Sequence, residues 1–347
     1  MIALLIASAC AFALAVLGTP LLIKVLRKKG IGQQIRDDGP FEHPHAAKAG
    51  TPTMGGIAII AAATIGYFVA HIRTEQIKFA RSGLIVIGLM LGMAFVGWID
   101  DYLGVRRGRN LGLRKRGKIG GQLCVAIAFV ALAVNWVGTS TNLSFARTNS
   151  VDLGPWGWSA LAVFVIMAAT NGVNLTDGLD GLAAGSCTFV FGALVIVSFW
   201  QFRHPDVYDL LAASALDLAV IAAALMGSAA GFLWWNAAPA RVFMGDTGAL
   251  GLGAAMAGVA LLANIALLLP ILGGLFVIET LSVIAQIVSF RGFKRRILRM
   301  APLHHHFEVG GWPEFTVIVR FWLLAGICVA FGLGLFYADF IRLGGLD

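Results

Sequence analysis

From Gly83 to Ile99 the chain is apolar without interruption, and it then runs directly into Asp100-Asp101-Tyr102. A run of this kind reads as a membrane-spanning helix of roughly 20 residues. In a bilayer only helices and closed barrels satisfy all their backbone hydrogen bonds, so the run leaves few folds open. It also recurs. Ten spans are predicted, at approximately 2–23, 54–72, 82–99, 119–138, 158–174, 182–200, 211–235, 248–264, 266–290 and 317–340. The eighth and ninth are divided only by Ala263-Asn264, with Pro270 soon after. Long continuous runs, rather than alternating segments of about ten residues, point to an all-α bundle and away from a β-barrel.

Composition agrees. The chain is 59% hydrophobic and 13% charged, against about 25% charged in a soluble domain. No polar stretch is long enough for a separate soluble unit, so residues 1–347 read as one membrane-embedded domain. Cys10, Cys124, Cys187 and Cys328 lie inside apolar runs without metal-like spacing and read as reduced packing cysteines. The first run has no charge before Lys24, so it is expected to stay as a span and not to act as a cleaved signal.

The basic residues orient the bundle. The linkers after spans 1, 3, 5, 7 and 9, together with Arg320 at the start of span 10, hold 20 of the 26 Lys and Arg, with clusters at Lys24 to Arg36, Arg106 to Lys118 and Arg291 to Arg299. An excess of Lys and Arg marks cytoplasmic loops. These linkers are therefore expected in the cytoplasm, with both termini on the other side. Trp136, Trp156 and Trp158 suit an interfacial aromatic belt on that outer face.

The acidic motifs fall on the same side as the basic linkers. They are Asp100-Asp101, Asn174-Leu-Thr-Asp-Gly-Leu-Asp-Gly181 with Asp177 and Asp180, and Phe243-Met-Gly-Asp-Thr-Gly248 with Asp246. Acids at or inside spans are costly and mark functional sites. All five carboxylates are expected to converge on one face. Asp100 and Asp101 point about 100° apart on a helix, so they are no simple chelating pair. One is expected at the reacting group, while the other caps a helix or holds a cation's water; the plain alternative is salt bridging to Arg106 and Arg107.

Asn174, Asp177 and Asp180 share a face if their turn is helical and offer oxygen ligands for Mg²⁺ or for a sugar–base moiety, with a helix-end cap as the alternative. Asn236, Phe243 and Asp246 share a short rigid linker in which Phe243 can stack on a base and Asp246 can ligate Mg²⁺. In Lys48-Ala-Gly-Thr-Pro-Thr-Met-Gly-Gly56, Lys48 and Thr53 suit an anion approached by backbone N–H groups. His304, His305 and His306 are consecutive, a poor arrangement for one metal ion, and fit phosphate or sugar oxygens better than zinc. Carboxylates with Mg²⁺, beside Lys and His at a membrane edge, suit phosphoryl transfer between a nucleotide conjugate and a lipid phosphate. A transporter is the competing class, though broken helices and repeats at the midplane would be its signature.

These strings, together with Pro302-Leu-His-His-His-Phe-Glu308, resemble the bacterial phospho-N-acetylmuramoyl-pentapeptide transferases, a branch of the polyprenyl-phosphate N-acetylhexosamine-1-phosphate transferases. The resemblance covers essentially the whole chain. It implies transfer from UDP-N-acetylmuramoyl-pentapeptide to undecaprenyl phosphate, giving lipid I and UMP, the first membrane step of peptidoglycan synthesis. It further implies Mg²⁺ dependence, a homodimer in the bacterial inner membrane, no nucleic-acid partner, and the triple His as the mark of this branch. A relative acting on another UDP-N-acetylhexosamine is the nearest alternative. By the same resemblance Asp246 matches the Mg²⁺ ligand, Asp100 the base on the lipid phosphate and Asp101 a neighbouring essential acid. Lys48, Asn174, Asp177, Gly178, Leu179, Asp180 and Phe243 match positions around the nucleotide, Lys118 a phosphate contact, and His304 to His306 site histidines. No role is carried to residues 41–47.

Overall fold

A computed structural model describes residues 1–32, 48, 50–73, 78–107, 112–208 and 210–342. Residues 33–47, which include Arg36, and Arg109 lie outside them. The helices are α1 Ile2–Lys28, α2 Gly56–Arg73, α3 Arg81–Arg107, α4 Lys115–Leu132, α5 Gly154–Thr176, α6 Leu182–Arg203, α7 Ala212–Asn236, α8 Gly245–Leu262, α9 Leu269–Leu272, α10 Gly274–Phe293, α11 Leu303–Val309 and α12 Glu314–Arg342. Ten of them are long and apolar enough to cross a membrane, counting α4 with its continuation to Val137. The protein is an all-α, multi-pass membrane protein.

Helix α8 is the centre of the bundle, with 89% of its span buried. It packs on α3 and α5, while α7 packs on α1 and α6. In lipid no hydrophobic effect drives helices together, so small residues that permit close van der Waals contact do that work. Helix α8 supplies them in Gly245-Asp-Thr-Gly-Ala-Leu-Gly-Leu-Gly-Ala-Ala-Met-Ala-Gly258. The partner surface complies: a Cβ at Gly97 of α3 would collide with the Asp246 carbonyl. This close approach is what brings the end of α3 against the start of α8.

Two departures from the span pattern have local causes. The ninth span begins at Gly274 and not near 266. Asn264 turns the chain at φ 55°, and Pro270 then sits in the first turn of the short α9, where its missing N–H is not needed. The linker after span 4 contains an antiparallel hairpin, β1 Asn142–Ser144 and β2 Thr148–Asp152, which the apolar pattern does not predict. The Leu267 N–H donates to the Ser144 carbonyl at 3.0 Å, anchoring the hairpin to the α8–α9 turn.

At the end of the bundle remote from the acidic motifs, Asp217 of α7 is fully buried. Its Oδ1 lies 2.9 Å from His71 Nε2 of α2. Its Oδ2 accepts from the Tyr67 hydroxyl at 3.0 Å and from the Ala80 N–H at 2.9 Å. One carboxylate therefore ties together α2, α7 and the entry to α3. Removing one member of such a set leaves the others buried and unpaired, at a cost of about 3–5 kcal/mol. Asp217→Ala is expected to lower the thermal midpoint of the purified protein, and Asp217→Leu combined with His71→Leu to recover part of that loss. An unchanged midpoint in the single variant would mean that the set contributes nothing.

Candidate active site

Helix α3 continues past the apolar run to Arg107, so Asp100 and Asp101 stand on its last turns and not beyond its end. Asp101 faces the start of α8. Its Oδ1 accepts from the Asp246 N–H at 3.0 Å, and its Oδ2 accepts from the Thr247 N–H at 3.0 Å and the Thr247 hydroxyl at 2.6 Å. A carboxylate on unpaired N–H groups at a helix N-terminus is the favourable charge for that site. Asp101 is thus the capping member of the pair. Salt bridges to Arg106 and Arg107 do not form among the described residues; Arg107 donates to the Gly112 carbonyl at 3.1 Å instead.

Asp100 points elsewhere. Its Oδ1 accepts from the Leu113 N–H at 2.6 Å, and its Oδ2 lies 3.6 Å from Lys118 Nζ. Lys118, near the start of α4, makes a direct ion pair with Asp246. The Asn174 amide, in the orientation its neighbours require, donates to Asp246 Oδ1 at 2.9 Å and accepts from Lys118 Nζ at 3.2 Å. One ammonium is therefore surrounded by oxygens of Asp100, Asp246 and Asn174, drawn from the ends of α3, α8 and α5. Asp177 completes the acidic wall. Burial, followed by the charges of Asp246 and Asp101, holds its carboxyl well above the usual carboxylate range, offset in part by the Gly245 N–H it accepts.

A second cluster lies beside the first. Lys48 Nζ donates to Asp180 Oδ1 at 2.7 Å and to Glu314 Oε1 at 2.5 Å. Glu314 also accepts from the Asp180 N–H at 3.1 Å, and Asp180 Oδ2 accepts from the Ala240 N–H at 2.9 Å. Glu314 was not singled out in the sequence. Its signal is its place at the mouth of the last span, where an acid follows Trp312-Pro313.

The loop before α2 differs from expectation. The Gly55 and Gly56 N–H groups donate to the Phe243 and Met244 carbonyls at 2.8 Å each, and the Phe243 N–H donates to the Pro52 carbonyl at 2.8 Å. Those two N–H groups are spent within the protein and do not cradle an anion. The glycines serve to zip the loop onto the 243–244 segment, with Thr53 half-buried on it. This fixes the Phe243 backbone while its ring remains partly exposed. Asn236 is likewise a brace: its oxygen accepts from the Gly181 N–H at 3.1 Å and its nitrogen donates to the Val242 carbonyl at 2.9 Å.

The histidines sit on α11, which packs over an apolar cluster of Leu179, Leu182, Leu275, Val317, Ile318 and Phe321. Leu179 thus buries its side chain under α11, while Gly178 faces His304 and His305. The three rings take three separate partners. His304 Nδ1 lies 3.2 Å from Glu279 Oε1, His305 Nδ1 lies 2.9 Å from Glu308 Oε2, and His306 Nδ1 accepts from the Arg299 N–H at 3.0 Å.

No group of three His, Cys, Asp or Glu side chains that could hold a metal occurs among the described residues. Mg²⁺ does not require one. It retains waters and is commonly held by one or two carboxylates together with substrate phosphates. Oxygens of Asp246 and Asn174 already converge on the Lys118 ammonium, with Asp100 further off at 3.6 Å, so the Asp246–Asn174 donor pair fits a hard cation.

Residues 83–264 match the family model described as glycosyl transferase family 4, and residues 48–60 match the phospho-N-acetylmuramoyl-pentapeptide-transferase signature 1. The chain is 52% identical over 353 residues to the phospho-N-acetylmuramoyl-pentapeptide-transferase of Frankia casuarinae, covering 98% of this chain and 99% of that protein. It is 51% identical over 351 residues to the enzyme of that name from Streptomyces griseus (96% and 98%), and 46% identical over 354 residues to that from Saccharopolyspora erythraea (98% and 98%). With the whole chain aligned at this identity and the signature loop in place, it belongs to the phospho-N-acetylmuramoyl-pentapeptide-transferase family.

Proposed function

We propose that the protein transfers phospho-N-acetylmuramoyl-pentapeptide from UDP-N-acetylmuramoyl-pentapeptide to undecaprenyl phosphate, releasing UMP, at the cytoplasmic face of the bacterial inner membrane and as a homodimer. The observation that carries this reading is the meeting of Asp100, Asp246, Asn174 and Lys118 at the ends of spans, where a lipid phosphate and a soluble nucleotide can both arrive. The distribution of Lys and Arg supports the cytoplasmic assignment.

In the reaction an oxygen of the lipid phosphate bonds to the sugar-linked phosphorus of the UDP conjugate. The bond from that phosphorus to the bridging oxygen breaks, and the bridging oxygen leaves with UMP. Asp100 takes the remaining proton of the lipid phosphate. Lys118 and Lys48 offset charge on the phosphates, which would otherwise repel one another. Phe243 offers its ring to the uracil. Asp246, with Asn174 beside it, is the group that would hold Mg²⁺; the bound cation supplies charge neutralisation at the two phosphates. Asp101 acts through the α8 N-terminus by fixing where Asp246 points.

Purified protein given undecaprenyl phosphate and two competing radiolabelled nucleotides should transfer from UDP-N-acetylmuramoyl-pentapeptide. Transfer from UDP-N-acetylglucosamine in its place would overturn the substrate assignment. Phe243→Ala removes only the ring, because the backbone at 243 is zipped to the loop, and should weaken binding of the UDP conjugate by about 1–3 kcal/mol with Mn²⁺ binding preserved. Unchanged nucleotide affinity would remove Phe243 from the pocket.

Asp246→Asn should abolish transfer and weaken Mn²⁺ binding. Asp100→Asn should lower turnover while leaving Mn²⁺ and nucleotide binding near normal. Because a phosphate monoester loses its second proton near pH 6, raising pH should partly restore the Asp100 variant. An exchange of the two binding phenotypes would exchange the two roles.

A further inference from the structure

Helix α10 carries one acid in its apolar span, Glu279. It is fully buried, and neither of its side-chain oxygens has a hydrogen bond in good geometry. One helical turn earlier, Leu275 belongs to the apolar cluster beneath α11. Burying a carboxylate in such surroundings costs several kcal/mol unless a partner compensates. Packing alone gives no reason for it, since a leucine would fill the place without that cost.

The group facing it is His304. Its Nδ1 lies 3.2 Å from Glu279 Oε1, the ring is fully buried, and both its nitrogens are without a well-formed hydrogen bond. The far side of the ring has a defined direction. A Cβ at Gly178 would meet His304 Nε2 and would also come against His305 Nε2. The imidazole thus stands between a buried carboxylate at Nδ1 and the Asp177-Gly178 turn of the candidate active site at Nε2. His305, stacked edge-on at 4.3 Å, has its own carboxylate in Glu308. A carboxylate at one imidazole nitrogen fixes both tautomer and ring orientation, so the other nitrogen is presented in a single way.

We propose that Glu279 is a positioning residue for the transfer reaction: it holds His304 through Nδ1 so that Nε2 packs on the Asp177-Gly178 turn and sets where that turn stands against the substrate. The role rests on the transferase reading above. Sequence spacing hides it, because Glu279 is a single acid in an apolar run and its partner lies on another helix. The Gly178 backbone leaves room for the ring, so Gly178 and Glu279 act on His304 from opposite sides.

The test uses the full-length protein in lipid nanodiscs, with Glu279→Gln, His304→Asn and the double variant. The nitrogen signals of His304 in a ¹⁵N-histidine spectrum, identified by their loss in His304→Asn, should move in Glu279→Gln. This readout requires no turnover. In the transfer assay Glu279→Gln should lower kcat by roughly 10- to 100-fold, by analogy with the outer partners of metal-bound imidazoles, with a smaller change in KM for the nucleotide. In the His304→Asn background the same change should cost less than about twofold, since residues acting as a unit are not additive. If Glu279→Gln does not yield folded protein, Glu279→Asp takes its place; it should show a smaller kcat loss that again vanishes without His304.

Unmoved His304 signals, or equal losses in both backgrounds, would overturn the proposal. A wild type that does not transfer from these substrates, yet whose His304 signals respond to Glu279→Gln, would refute the transferase reading and leave the carboxylate–imidazole contact standing.

Discussion

The geometry of the site depends on one carboxylate. Asp101 places both oxygens on the first N–H groups and the Thr247 hydroxyl of α8. Thr247 is buried, so its N–H cannot turn to water and must be satisfied within the protein. Hydrogen bonds to a charged group contribute about 1.5–3 kcal/mol each. The same contact joins α3 to the most buried helix of the bundle, and Gly97 allows the two backbones to meet. By holding the start of α8 against the end of α3, Asp101 sets Asp246 beside Asp100, and both face Lys118.

A pattern follows from this division of labour. Each functional side chain has a neighbour that fixes it without facing the reaction. Asp101 fixes the turn bearing Asp246, and Asn236 fixes the turns on either side of it. The glycines before α2 fix the backbone of Phe243, and Glu314 fixes Lys48. Glu279 extends the pattern to His304. Electrostatic catalysis works when charges are held in place before the substrate arrives, and a low-dielectric surround makes such holding both possible and costly to get wrong.

Much of this was legible in the chain. The apolar runs show the spans, because twenty apolar residues in water have no other comfortable state, and the acids at their edges show which end carries chemistry. The adjacency of Asp100 and Asp101 leaves a helix cap as one option, beside a cation's water and pairing to Arg106 and Arg107, and the fold takes the cap. What the sequence hides is pairing over distance. Lys48 meets Asp180 across 132 residues and Glu314 across 266, and no local pattern announces either. Asp217 and Glu279 are single acids in apolar runs that belong to no sequence motif, and their meaning comes from His71 and His304 on other helices. The loop before α2 misled in the opposite way. Its glycines suggested N–H groups open to an anion, whereas the tertiary fold had already used two of them.

The central claim is that Asp101 builds the site and does not itself react. Titration of Mn²⁺ into Asp101→Asn, followed by its paramagnetic signal alongside the turnover of the same preparation, tests this most directly. The account predicts that affinity and turnover fall together, because the Asp246 turn loses its anchor. Turnover lost with Mn²⁺ affinity intact would contradict it and place Asp101 at the reacting group.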